Sequence, residues 1–167
     1  MILVKAERDA LLGPLSAVSG IIERRHTLPI LSNVLIEKSA DALSFLATDI
    51  EIQITSNANS SAGGETQAIT VGARKLVEIL RALPAGEVTL TMQEKRLQVK
   101  SGKSRFTLQT LPSEDFPRLS KPSGDISRFS LPQKTLRRLL ALVQYAMAQQ
   151  DIRYYLNGLL LMVGAQS

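Results

Sequence analysis

Leu11, Leu15, Val18 and Ile22 recur at i, i+4, i+7 and i+11, which sets four aliphatic side chains on one side of a helix and predicts helix over 7–22. Pro14 interrupts that pattern: it has no N–H for the carbonyl of Ala10, which implies a kink or a later start near Gly13. A second helix is predicted over 73–83, burying Leu76, Ile79, Leu80 and Leu83 and stopping at Pro84-Ala85-Gly86. A third is predicted over 132–148. It starts on Pro132, a good first-turn residue, and gathers Leu136, Leu139, Leu140, Val143 and Met147 on one side.

Between the helices the period drops to two. Ile50, Ile52 and Ile54 alternate with Glu51, Gln53 and Thr55, predicting a strand with one wet face. Val88, Leu90 and Met92 alternate likewise, as do Leu97 with Val99 and Phe106 with Leu108. The polar breaks Gln93-Glu94-Lys95-Arg96 and Ser101-Gly102-Lys103 read as hairpin turns. With strands at 34–37, 43–47 and 68–71, the expected fold is α+β, with about eight mainly antiparallel strands and two helices. The Asn, Ser, Ala and Gly of 57–65 predict a surface loop.

A boundary is expected at 121–127, within the linker-like string Leu119-Ser120-Lys121-Pro122-Ser123-Gly124-Asp125. Residues 1–120 then form a first domain and 128–167 the start of a second. The later stretch repeats the order of 1–37: strand, helix, polar connector, and a run in which Leu156-Asn157-Gly158-Leu159-Leu160-Leu161 answers Leu31-Ser32-Asn33-Val34-Leu35-Ile36. The repeat halts at Ser167 without the hairpins that would cover its helix, so the second domain is expected to be incomplete.

Composition narrows the chemistry. The absence of Cys removes disulfides, thiolate nucleophiles and Cys-based zinc sites. His26 is the single histidine, and Gly63-Gly64 is followed by Glu65 rather than by a phosphate-binding lysine. Asp49 and Glu51, two apart on the predicted strand, read as a solvated face or a turn rather than as an acid–base pair. Neither a catalytic site, a metal site nor a cofactor is expected. No apolar run reaches the roughly 20 residues that span a bilayer.

Twenty Lys and Arg oppose fifteen Asp and Glu, a net charge of +5 that favours a polyanionic partner. Lys134, Arg137 and Arg138 fall opposite the apolar side of the third helix, either as a plain solvated face or as one turned to a phosphate backbone. Two connectors carry further candidates, Arg24-Arg25-His26 and Gln149-Gln150-Asp151-Ile152-Arg153-Tyr154-Tyr155. Arg beside paired Tyr suits phosphate contact and stacking, and equally suits packing around a turn. Lys95, Arg96, Lys100, Lys103 and Arg105 crowd one hairpin, as a DNA patch or as protection of a sheet edge.

Several ordered strings resemble bacterial DNA sliding clamps, the beta subunits of DNA polymerase III. They are Thr27-Leu28-Pro29-Ile30-Leu31, Ala47-Thr48-Asp49-Ile50-Glu51, Ala73-Arg74-Lys75, Ser101-Gly102-Lys103-Ser104-Arg105-Phe106, Leu111-Pro112-Ser113-Glu114-Asp115-Phe116-Pro117 and Gln150-Asp151-Ile152-Arg153-Tyr154-Tyr155-Leu156-Asn157-Gly158. The resemblance covers essentially the whole chain. It implies a DNA-clamp fold, with helices on one face of mainly antiparallel sheets, in a head-to-tail homodimeric ring around duplex DNA. It also implies a cytoplasmic, nucleoid-associated protein without catalysis of its own, opened by a loader and tethering the polymerase III catalytic subunit. By position, Arg25, Arg74, Gln150, Tyr154 and Tyr155 resemble DNA contacts, with Arg24, Lys134, Arg137 and Arg138 as further DNA-facing candidates. Arg153 and Leu156 resemble the start of the cleft for partner peptides, while Arg74, Lys75, Ile79, Phe106 and Leu108 resemble the dimer interface. The resemblance favours the subunit edge over DNA for the hairpin 95–108. Arg24 and His26 stand where many relatives have Gly and Pro. The competing expectation is an assembly module that touches no DNA.

Overall fold

The computed structural model describes residues 2–22, 28–39, 42–58, 66–120, 128–149 and 151–164, and for Tyr154 the backbone alone. Two compact units follow one another, Met1–Lys121 and Pro122–Ser167.

The first unit is α+β. Its strands are β1 (Ile2–Glu7), β2 (Asn33–Lys38), β3 (Leu43–Thr48), β4 (Gln53–Ala58), β5 (Gln67–Gly72), β6 (Glu87–Gln93), β7 (Arg96–Ser101) and β8 (Ser104–Leu111). Helix α1 (Arg8–Ser19) follows β1, and α2 (Ala73–Ala82) follows β5. The strands form one antiparallel sheet in the order β1-β6-β7-β8-β5-β2-β3-β4. Strand β8 makes this possible by serving two neighbours in turn. Its residues from Ser104 to Gln109 pair with β7, and only Thr110 and Leu111 reach β5, opposite Val71 and Thr70.

That narrow seam is reinforced by a buried hydroxyl. Thr70 Oγ1 donates to the Leu111 carbonyl at 2.8 Å and accepts from Leu111 N at 3.3 Å and from Asn33 Nδ2 at 3.1 Å. Thr70 is fully buried, so these bonds replace the water it has lost.

The core lies between the sheet and the two helices. Leu11, Leu15 and Val18 of α1 and Leu76, Val77 and Leu80 of α2 are buried against Val34, Ile36, Phe45, Val71, Leu90 and Leu97, among others. Each such side chain contributes about 1.5–3 kcal/mol when fully removed from water. Ile22, Ile79, Met92 and Leu108 pack against the same cluster while partly exposed. The outer face of the sheet has a smaller cluster, where Phe116 covers Leu35 and Leu46. The segment carrying Phe116 is pinned by Arg118 to Glu37 at 2.7 Å and by Leu119 N donating to Gln53 Oε1 at 3.0 Å.

Several sequence expectations need correction. Helix α1 starts at Arg8 and runs through Pro14, so the later start near Gly13 is not taken, and it ends at Ser19 rather than 22. Ile50 and Ile52 belong to no strand: β4 begins at Gln53, and residues 49–52 turn the chain. The cause is polar. Asp49 Oδ1 accepts from Glu51 N at 3.0 Å and Ile52 N at 2.7 Å, while Thr48 Oγ1 donates to the Ile52 carbonyl at 2.7 Å and accepts from Ile50 N at 3.0 Å. Local side-chain bonds of this kind outcompete the sheet ladder. Asp49 and Glu51 therefore sit in a turn and do not share a strand face. Strand β4 also extends to Ala58, two residues into the predicted loop of 57–65; of that loop, 59–65 lie outside the described residues.

The second unit has α3 (Gln133–Val143), a 3-10 turn at Gln144–Ala146 and another at Tyr154–Asn157. The helix is shorter than the predicted 132–148 because its last turn tightens. The strand expected from Leu156 to Leu161 is not formed, and the described residues of this unit contain no strand. A strand exists only by pairing, and the described residues of this unit offer it no neighbour. Leu139, Leu140, Leu142 and Val143 of α3 are all exposed.

Candidate nucleic-acid interface

The outward sides of the helices differ sharply from the buried ones. Apart from the exposed Asp9 of its first turn, that side of α1 is small and uncharged, with Gly13 and Ala17 exposed and Ser16 and Ser19 half-buried. On α2 it carries Arg74, Lys75, Glu78 and Arg81, all exposed. Between the two helices runs an open groove lined by Ser16, Ser19, Gly20, Arg74 and Arg81, with Glu78, the partner of Lys75, as its one acidic residue. Small side chains on one bank and guanidinium groups on the other would let a polyanion backbone approach closely.

Which cations are engaged decides which are available. Lys5 pairs with Glu87 at 3.1 Å, and Lys75 with Glu78 at 3.1 Å. Arg8 is held by Asp9 at 2.8 Å and donates to the Leu83 carbonyl at 2.7 Å, closing the end of α2. Arg74, Arg81, Lys134, Arg137 and Arg138 have no carboxylate partner among the described residues. The hairpin cations Lys95, Arg96, Lys100, Lys103 and Arg105 are unpaired in the same sense, and Lys100 stands directly opposite Arg105.

Arg81 was not singled out from the sequence, although the signal was there. It follows Arg74 by seven residues, which is 700° of helix and nearly the same side. On α3, Lys134, Arg137 and Arg138 are exposed, with Leu136 half-buried.

The connector after α3 is built differently. Asp151 accepts two bonds from the Arg153 guanidinium, each at 3.0 Å, and one from Arg153 N at 2.8 Å. Asp151 N donates to Asn157 Oδ1 and Asn157 Nδ2 donates to the Asp151 carbonyl, both at 3.0 Å. Ala148 N donates to the Leu156 carbonyl at 3.0 Å, and Leu156 N to the Arg153 carbonyl at 2.9 Å. The guanidinium and the backbone N–H of Arg153 hold the Asp151 carboxyl below the usual carboxylate range. The same carboxylate raises Arg153 further. Tyr155 is exposed and Leu156 half-buried. Arg24, Arg25, His26 and Gln150 lie outside the described residues, as does the side chain of Tyr154.

The residues likened to a dimer interface lie in the first unit. Arg74 and Lys75 open α2, with Ile79 one turn on and half-buried. Phe106 and Leu108 stand opposite Val99 and Leu97, so both point to the core side of the sheet. Phe106 is nonetheless 37% exposed, because β8 has no strand on its far side over 104–109 among the described residues.

Comparison with known proteins gives one consistent result. The family described as DNA polymerase III beta subunit, N-terminal domain, matches residues 2–120. The chain is 47% identical over 158 residues to the beta sliding clamp of Pseudomonas aeruginosa, covering 94% of this chain and 43% of that protein. To the beta sliding clamp of Escherichia coli K12 it is 44% identical over 155 residues, covering 92% and 42%. Among solved structures, the DNA polymerase III subunit beta of Pseudomonas aeruginosa superposes with a TM-score of 0.88 at 45% identity, over 95% of this chain and 43% of that one. The pol III beta of Caulobacter crescentus gives 0.87 at 40% identity, over 95% and 42%. The chain thus spans less than half the length of the relatives it matches.

Proposed function

Because the chain belongs to the DNA polymerase III beta subunit family, whose N-terminal domain it contains, we propose that it supplies part of the DNA-facing wall of a sliding clamp. In this reading the helices line the hole of a ring and the sheet forms its outer side. The ring tethers the replicative polymerase to duplex DNA and does no chemistry itself. The observation that carries the reading is the set of cations Arg74, Arg81, Lys134, Arg137 and Arg138 on exposed helix faces, without a carboxylate partner among the described residues, whereas Arg8, Lys75 and Arg153 are held by carboxylates.

A sliding tether needs attraction without base readout. Phosphate contacts made by such arginines supply attraction that is independent of sequence. The edge of β8 with Phe106 and Leu108, together with Arg74, Lys75 and Ile79, is proposed to meet a second subunit. Arg153 and Leu156 are proposed to begin the cleft that takes peptides of the polymerase catalytic subunit and the clamp loader. Arg24, Arg25, Gln150, Tyr154 and Tyr155 complete the proposed DNA contacts. The protein is assigned to the cytoplasm, at the nucleoid.

Binding of this chain to a fluorescent duplex across a salt series tests the reading. Affinity falls as salt rises, and Arg74→Gln with Arg81→Gln lowers the slope of log K against log salt by about one per arginine. Affinity that ignores both salt and these substitutions would favour an assembly module without DNA contact.

A further inference from the structure

The connector from Ala148 to Asn157 is closed on itself before any ligand arrives. Among the described residues its clamping bonds run from Ala148 N to the Leu156 carbonyl, from Leu156 N to the Arg153 carbonyl, and both ways between Asp151 and Asn157. At its centre the Asp151 carboxylate grips Arg153 through three N–H groups, two on the guanidinium and one on the backbone. A two-bond fork between Arg and a carboxylate fixes the plane of the guanidinium as well as its position. Arg153 is therefore unlike Arg74, Arg81, Arg137 and Arg138, which have no such partner among the described residues.

We propose that Asp151 is a positioning residue that withholds Arg153 from the DNA backbone by engaging its guanidinium with a carboxylate of the same connector. The inference rests on the clamp reading and deepens it. In a connector otherwise proposed to touch DNA, one arginine is kept off the phosphates by a neighbour two residues away. Without that restraint a flexible, fully charged side chain would fall onto the nearest phosphate, because a long-range field acts on every free cation alike. Asn157 holds the backbone of Asp151 from the other side, so the carboxylate cannot follow Arg153 away.

Two measurements on the chain test this, one without DNA. In the free protein, the Nε–H proton of Arg153 gives a slowly exchanging resonance. Asp151→Asn keeps an oxygen for Arg153 N but removes the charge, and the resonance moves into fast exchange. On the fluorescent duplex, Asp151→Asn steepens the slope of log K against log salt by about 0.9, one additional phosphate contact. Adding Arg153→Gln to that variant returns the slope to its starting value. A slope unchanged by Asp151→Asn overturns the proposal, as does a double variant that keeps the steeper slope, since the gain would then come from lost negative charge in general. An Arg153 resonance that exchanges fast in the unaltered chain overturns it without reference to DNA. A chain without salt-dependent duplex affinity would defeat the clamp reading while leaving the resonance result to stand alone.

Discussion

Ile50 occupies backbone with φ of +83°, where a β-branched side chain crowds its own carbonyl, and it is about half exposed to water. The four hydrogen bonds made by Thr48 and Asp49 force that conformation, and the isoleucine at its tip gains little by burial. Asn tolerates left-handed backbone far better. Ile50→Asn is therefore expected to stabilise the first unit by about 1 kcal/mol, read as a higher urea midpoint with an unchanged m-value. This residue also shows why alternation alone misled. Ile50, Ile52 and Ile54 have the period of a strand, yet the two side-chain oxygens just before them decide the geometry. The opposite lesson comes from Arg81, whose place beside Arg74 follows from helical spacing alone.

At the scale of elements, period and punctuation were enough to find α1, α2, α3 and seven of the eight strands of the first unit within a few residues. The exception was β4, whose start was displaced by the turn. What no pattern could show is the pairing of β8 with two strands in succession, since strand order depends on contacts distant in sequence. The seam is the part of that architecture most open to attack. Thr70→Val keeps the shape and removes the hydroxyl, leaving the Leu111 carbonyl and Asn33 short of a partner. A loss of about 1–3 kcal/mol is expected, with faster hydrogen exchange at the amides of Thr110 and Leu111 than at those of Leu97 and Val99. The connector after α3 was legible as a candidate from its composition, but its internal closure was not. Asp151 and Asn157 look like ordinary polar loop residues until the fold joins them.

For the whole molecule, the resemblance read from short strings and the match over residues 2–120 agree on one family. The strand predicted at 156–161 in the second unit is not formed, because pairing partners cannot be inferred from a repeat of hydrophobic positions. The unpaired edge of β8 has a consequence for the molecule in solution. An open strand edge with an exposed aromatic is a template for a second chain. Concentration-dependent association is expected by sedimentation velocity, and Phe106→Lys should weaken it.

The strand that offers this edge to the outside is also the one that fastens the two halves of the sheet. Any chain that docks along 104–109 binds the folded form alone and so draws the population toward it. Neighbour and seam would then strengthen each other: prising a companion off β8 loosens Thr110 and Leu111, and a slack seam weakens the grip on the companion. Opening such an assembly at this joint would leave its mark deep inside the domain, at Thr70 and Asn33.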